Sequence, residues 1–219
     1  LDFIISTLPS PLEGPGLQLE NGDVQKIDSN GPVSAYVFRT VSDDYAGRLN
    51  FFKVITGQFK PDMAVQNTTK DKYERIGHVL TVLGKKSSDA GVLQAGDIGA
   101  VSKLDVTGTG DTLTDPSRQV KYAPTRLPQP TCIMAISAKS KADEEKIGMG
   151  MHRMVEQDPT LSIRRESETS QTILSGIGDT HLDVAVARLK NHAKVDVELS
   201  IPRVAYRETL TKSAQGQGK

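Results

Sequence analysis

A chain of 219 residues, 37% hydrophobic and 25% charged, is long enough for one large domain or two small ones with modest cores. Lys plus Arg number 27 and Asp plus Glu number 27, which excludes wholesale binding to a phosphate backbone driven by net charge. No apolar run approaches the ~20 residues of a membrane span, and the single cysteine, Cys132, excludes an internal disulfide and suits a reducing cytoplasm.

Residues 1–30 read as a short amphipathic helix and a connector. Leu1, Ile4, Ile5 and Leu8 fall on one helical stripe, and Pro9 and Pro11 end it. The stretch SPLEGPGLQLENGDVQKIDSNGP follows, rich in Gly, Pro and polar residues. Such a helix has nothing nearby to pack on. With Leu1 rather than Met at the start, the expectation is an excised piece whose packing partner lies elsewhere; a disordered terminus is the alternative.

Residues 31–125 read as a run of strands. SAYVFRT, RLNFFKVITG, MAVQN, YERIGHVLTVLG and DIGAVSKL are short and rich in Val, Ile, Phe, Tyr and Thr. Turn signals part them at Asp43-Asp44, Gly57, Lys60-Pro61-Asp62, Lys70-Asp71 and Gly108 to Asp111. Strands at this spacing without long helices predict a small closed or nearly closed β-barrel. KKSSDAGVLQAGDIGAV fits a long connection that re-enters it through Gly96-Asp97.

Pro124, Pro128 and Pro130 mark a boundary, after which the pattern changes. TCIMAISA is a strand-like apolar run. SKADEEKIGMGMHRMVEQDP is helical, with Ser140 and Asp143 at capping-box spacing and a stripe of Ile147, Met151, Met154 and Val155. Gly148 and Gly150 weaken this helix and admit another backbone. Two strands, LSIRRE and QTILSGIG, come next, then a helix from Thr180 to about Ala193 striped by Leu182, Ala185, Val186 and Leu189. A last strand alternates Val195, Val197, Leu199 and Ile201 against Asp196, Glu198 and Ser200. The order β-α-β-β-α-β is the ferredoxin-like sandwich. VAYRETL reads as one more strand, without a companion, before the polar tail TKSAQGQGK.

The stretch SGIGDTHLD looks at first like an active site. Neither phosphate-loop pattern occurs anywhere in the chain, and two acids at a helix start would repel a phosphate. TGTGDTLTD fails likewise, since it leads into a strand. Ser175 lacks the glycine two positions earlier that a nucleophile elbow needs. His181 and Asp183 lie two apart on a helix and point to different faces. His78, His152, His181 and His192 form no zinc pattern with one cysteine. A structural reading covers every residue: Gly176 and Gly178 free the backbone for a sharp turn, Thr180 caps the helix with Asp183 as capping-box partner, and Asp179 complements the dipole. An RNA-recognition module of this topology stacks bases on aromatics of its central strands, and TCIMAISA and QTILSGIG contain none.

The same residues resemble a family. GIGDTHLDVAVARLK is similar to the Gly-Met-Gly-Glu-Leu-His-Leu-Glu segment of elongation factor G and its relatives. YAGRLNFFKVITGQFKPDM, ERIGHVL, AGDIGAVSKLDVTGTGDTL, KADEEKIGMGMHRMVEQDPTLSIRRESETSQTILSG and PRVAYRETL resemble it too, in the family's order over nearly the whole chain. The resemblance implies that residues 1–30 are the tail of a GTP-binding domain and a linker. Residues 31–125 would be domain II, a translation-factor β-barrel; 126–202 the ferredoxin-like domain III; and 203–219 the truncated first strand of domain IV. It implies a cytoplasmic, noncatalytic fragment of a translational GTPase, with GTP and magnesium held by the missing domain. Implied partners are the ribosome, through small-subunit rRNA and proteins, and the protein's own GTP-binding domain and domains IV and V, with no membrane.

By the same resemblance, Gly176, Gly178, Asp179 and His181 would lie where domain III meets its neighbours. Lys85, Lys86, Arg164, Arg165, Arg188 and Lys190 are candidates for ribosomal or interdomain contacts. Asp179-Thr180 stand where the family usually has Glu-Leu, and AVSKLDVTGTGDTL leans toward divergent paralogues. That opens roles in recycling or tetracycline-resistance-type ribosomal protection beside translocation. The rival from another class is a stand-alone binding module or small-molecule enzyme on barrel plus sandwich.

Overall fold

The computed structural model describes residues 1–43, 47–84, 86–138, 140, 143–209, 211–212 and 215–217. The chain divides into two compact units, Leu1–Leu127 with Glu156–Pro159, and Pro128–Val155 with Thr160–Lys219.

The first unit opens with helix α1 (Asp2–Thr7) and a 3-10 turn (Pro11–Glu13). Twelve strands follow among the described residues: β1 (Leu17–Gln18), β2 (Val24–Gln25), β3 (Ser34–Asp43), β4 (Gly47–Thr56), β5 (Gln58–Phe59), β6 (Ala64–Asn67), β7 (Lys72–Arg75), β8 (Val79–Leu83), β9 (Lys86–Asp89), β10 (Leu93–Gln94), β11 (Ile98–Ser102) and β12 (Thr112–Thr114). Eight form one antiparallel sheet in the order β7-β6-β12-β3-β4-β11-β8-β9.

That order forces the sheet to curl. β7 and β8 are consecutive in the chain yet six places apart in the sheet, about 29 Å if it were flat. Only Ile76 to His78 join them, a reach of about 14 Å at most. The sheet therefore wraps into a β-barrel. Its core is filled from every side by Val33, Ala35, Val37, Phe52, Val54, Phe59, Val65, Ile76, Val79, Leu93, Val101, Leu104 and Leu113. The run YERIGHVLTVLG, expected as one strand, is two, because the chain changes pairing partner at Ile76: β7 pairs β6 and β8 pairs β11. The expected long connection after Gly84 contains β9, hairpinned onto β8, and β10, paired with β5.

Part of the N-terminal connector is built onto this unit. β1 and β2 form a hairpin, Leu19 bridges Tyr122, and Asp28 bridges Thr56. A second cluster of Ile27, Tyr36, Ile55 and Tyr122, flanked by Leu17, Leu19 and Ala95, seals the contact. A hydroxyl chain runs through it. Thr56 Oγ1 donates to the Pro32 carbonyl at 2.8 Å, so the 2.7 Å contact with Ser34 Oγ takes the Ser34 proton. Ser34 then accepts from the Tyr122 hydroxyl at 2.6 Å. Arg118 clamps the same place, donating to Thr56 Oγ1 at 2.8 Å and to Gln25 Oε1 at 2.6 Å. By contrast, α1 stays bare, with Leu1, Phe3, Ile4, Ile5 and Leu8 exposed.

The second unit contains β13 (Cys132–Ala138), α2 (Glu144–Gln157), β14 (Ser162–Glu166), β15 (Gln171–Gly176), α3 (Asp179–Ala193) and β16 (Val197–Ser200). Its sheet order β14-β15-β13-β16 is antiparallel throughout, the ferredoxin-like arrangement. Ile147 and Met151 of α2 and Leu182, Ala185 and Leu189 of α3 bury against Ile136, Leu161, Leu174 and Val195. Gly150 suits this packing, since a Cβ there would lie 2.5 Å from Leu189 Cδ1 and that side chain would have to shift. Ile201, expected on the inner face of the last strand, lies past its end and is 84% exposed. Among the described residues beyond Arg203 the expected strand is absent, because a lone segment has no ladder to join. Arg203 N–H donates to Gln171 Oε1 at 2.8 Å, and Arg207 pairs with Glu168.

Burial holds the Tyr122 phenol above its ordinary range, outweighing the Arg118 charge that pulls it down. The unfolded chain therefore releases this proton first, and the stability Tyr122 contributes is intact below about pH 10 and falls as pH rises above it. Tyr122→Phe is expected to cost about 1 kcal/mol at neutral pH. Urea unfolding should show that gap narrowing above about pH 10.

Candidate functional site

The stretch that most resembled an active site folds as the turn between β15 and α3. Gly176 is the last residue of β15. A Cβ on it would lie 2.8 Å from Leu182 Cδ2, 2.9 Å from His181 Nδ1 and 3.3 Å from Leu161 Cδ2, so any larger residue would push these side chains aside where the strand end presses against the helix start. Thr131, just before β13, fastens the turn: its N–H donates to the Gly176 carbonyl and its hydroxyl to the Ile177 carbonyl, both at 2.9 Å. That threonine was not singled out from the sequence. Its only signal is a hydroxyl immediately ahead of an apolar strand.

The helix cap differs from the expected one. Gly178, not Thr180, is the N-cap; its backbone is extended, and a Cβ added to it would meet nothing within 4 Å. Thr180 is instead the second helical residue, with its N–H donating to Asp179 Oδ1 at 2.7 Å. Asp183 is exposed and does not close a capping box with it. The reach-back is made by His181, whose Nδ1 accepts the Ile177 N–H at 3.2 Å. An accepting Nδ1 leaves the ring proton of neutral His181 on Nε2. Asp179 occupies the first turn, where a negative charge complements the helix dipole. Gly176, Gly178, Asp179 and His181 are thus brought together, in a packed turn.

The basic candidates are not brought together. Lys85 lies outside the described residues. Lys86 begins β9, the exposed edge of the barrel sheet. Arg164 and Arg165 are exposed on edge strand β14, opposite Ile173 and Thr172 respectively, so their side chains leave opposite faces. Arg188 and Lys190, two residues apart on α3, are about 200° apart around its axis. Lys190 Nζ pairs with Asp196 Oδ1 at 2.8 Å, and the hydrogen bond and charge of that carboxylate hold its ammonium pKa above the usual lysine value.

A second glycine-bearing loop, TGTGDTLTD, has its backbone donor already taken. Asp111, 4% exposed, accepts from Gly108 N–H at 2.8 Å, from Asn67 Nδ2 at 2.9 Å and from Lys70 Nζ at 2.9 Å. The chain's own carboxylate sits where a bound anion would have to go. Glu74 ties down the same loop through the Val106 N–H at 3.0 Å and the Thr107 hydroxyl. Among the described residues no group of three or more His, Cys, Asp or Glu side chains is arranged to hold a metal ion. No described helix is long and apolar enough to cross a membrane.

Comparison with known proteins agrees with this geometry. Residues 32–116 match the family model of elongation factor G domain 2, and residues 127–201 match that of elongation factor G domain III. A crystal structure of a protein from Thermus thermophilus is similar over 93% of this chain, at 29% identity and a TM-score of 0.74. The chain spans 29% of the length of that protein. It belongs to the elongation factor G family, of which it carries domains II and III.

The two glycines of the turn are expected to behave differently. Gly176→Ala should destabilise the sandwich by about 1–3 kcal/mol through overpacking against Leu182. Gly178→Ser should be neutral or stabilising by a few tenths of a kcal/mol, since serine is a better N-cap. Urea denaturation of both variants checks the contrast.

Proposed function

We propose that this chain is a noncatalytic portion of a translational GTPase, relaying GTP-dependent conformational change and contacting the ribosome. The observation that carries this reading is that two domains of one family follow each other in the family's order, each closed around its own core. Separately cored bodies can be rebiased as units by a few contacts, whereas a single continuous core would resist. GTP and magnesium would be held by a domain outside these 219 residues. Supporting this, the chain has no phosphate-loop pattern, and Asp111 already occupies the Gly108 N–H.

The turn at Gly176, Gly178, Asp179 and His181 would act as a rigid joint to neighbouring domains, by packing and not by proton transfer. Lys86, Arg164, Arg165 and Arg188 would meet rRNA or adjoining domains singly. Lys190 is less available because Asp196 holds it. The partner is the small ribosomal subunit, and the place of action the cytoplasm. Translocation, recycling and ribosomal protection all share this relay.

Two measurements on the 219-residue chain test the proposal. Equilibrium filtration with labelled GTP should retain no nucleotide, and photo-crosslinking should attach the chain to purified small ribosomal subunits. Tight GTP binding or turnover by the chain itself would replace this reading with the stand-alone enzyme.

A further inference from the structure

The outer wall of the barrel carries an aromatic patch that the function so far leaves unused. β3 is bulged between Val37 and Arg39, so that Val37 faces Phe52 while Arg39 faces Phe51, and Phe38 is the extra residue. Val37 and Phe52 point into the core, both fully buried. Arg39 and Phe51 therefore share the outer face. The ring of Phe38 also lies against that of Phe51, with centroids 6.5 Å apart and planes tilted by 47°. Phe38 is 42% exposed, so part of its ring is open to solvent.

The flanks of this pair are cationic and apolar. Lys53 lies two residues beyond Phe51 on the same strand face, opposite Ile98, which is 55% exposed. Arg39 is exposed directly across from Phe51. The register row continues Phe51, Ala100, Leu80, Asp89, so the carboxylate in that row sits three strands away, about 14 Å. That exceeds the ~8 Å screening length at physiological salt, and Asp89 is paired with His78 at 3.3 Å. Asp97, next to Ile98, is the nearer carboxylate to Lys53, and it is engaged by the Gln94 N–H at 2.8 Å. Two cations beside two aromatic rings are the chemistry that grips a base and its phosphates. A purely apolar protein partner would have no use for the cations.

We propose that Phe38 and Phe51 form a stacking site for an unpaired RNA base, with Arg39 and Lys53 holding the adjoining phosphates. This rests on the reading of the chain as a ribosome-contacting fragment for the source of the RNA, but the site itself is defined without it.

The test uses the 219-residue chain with a fluorescein-labelled single-stranded octanucleotide, and separately with purified small ribosomal subunits. Phe38→Leu keeps an apolar side chain but removes the π-face, and should weaken octanucleotide binding roughly tenfold, while Phe38→Tyr retains it. Arg39→Gln with Lys53→Gln should reduce the slope of log affinity against log salt by about 1.4, two phosphates' worth on a single strand. Circular dichroism melting of each variant confirms that the fold is intact. Octanucleotide binding unaffected by Phe38→Leu, or no binding by the wild type, overturns the inference. Crosslinking to subunits that survives Phe38→Leu while octanucleotide binding is absent points instead to an apolar protein contact and likewise overturns it. Octanucleotide binding lost in Phe38→Leu, with no crosslinking of the wild type to subunits, upholds the stacking site and removes the ribosomal reading alone.

Discussion

Three residues constrain the whole first unit. Because Ile76 to His78 must carry the chain between strands that a flat sheet would hold about 29 Å apart, the sheet has to roll up. Rolling up decides which side chains are interior. The interior is then filled by thirteen apolar residues along its length and, toward one end, by buried polar groups such as Asn67, Thr107 and Asp111 that bond one another. The interior is occupied by the barrel's own side chains, and its surface is open to recognition.

The sandwich obeys a different rule with the same outcome. Its two helices cover one sheet face, and the chain must turn sharply from β15 into α3 to bring Leu182 beneath that face. Gly176 makes room for the turn by omitting the Cβ that would push Leu182 and His181 aside. The result is a helix start whose polar groups answer local needs. Ile177 N–H goes to His181, Leu182 N–H to the Gly178 carbonyl, and the Gly176 carbonyl to Thr131. Residue types that serve chemistry elsewhere satisfy backbone groups here.

Much of this is legible in the sequence. Period-2 runs expose most of the barrel strands, and the stripes of α2 and α3 name residues that are buried, Ile147, Met151, Leu182, Ala185 and Leu189. What stays hidden depends on partners distant in sequence. Nothing local says that YERIGHVLTVLG changes partner at Ile76, that β9 folds back on β8, or that Arg118 reaches Gln25 across the connector. At the candidate site, the glycines and acids are readable as a turn. Yet the expected cap at Thr180 is wrong, because capping-box spacing cannot distinguish it from a glycine cap backed by His181. The basic pairs mislead for a geometric reason: neighbours in a strand diverge to opposite faces, so Arg164-Arg165 is two single charges.

A protein of zero formal charge whose cations are scattered one by one cannot be drawn to RNA by a broad field. A contact with RNA must then gain its strength from short-range geometry. Bases offer π-faces, and a ring stacked on one is held over a few ångströms irrespective of net charge. Such a grip requires aromatics held in place on a stiff wall, with cations near enough to meet phosphates but too few to attract them from afar. The sandwich sheet lacks aromatics, so it cannot supply this. The barrel wall offers the aromatics such a grip would need, Phe38 and Phe51 in ring contact on the outside of a closed sheet.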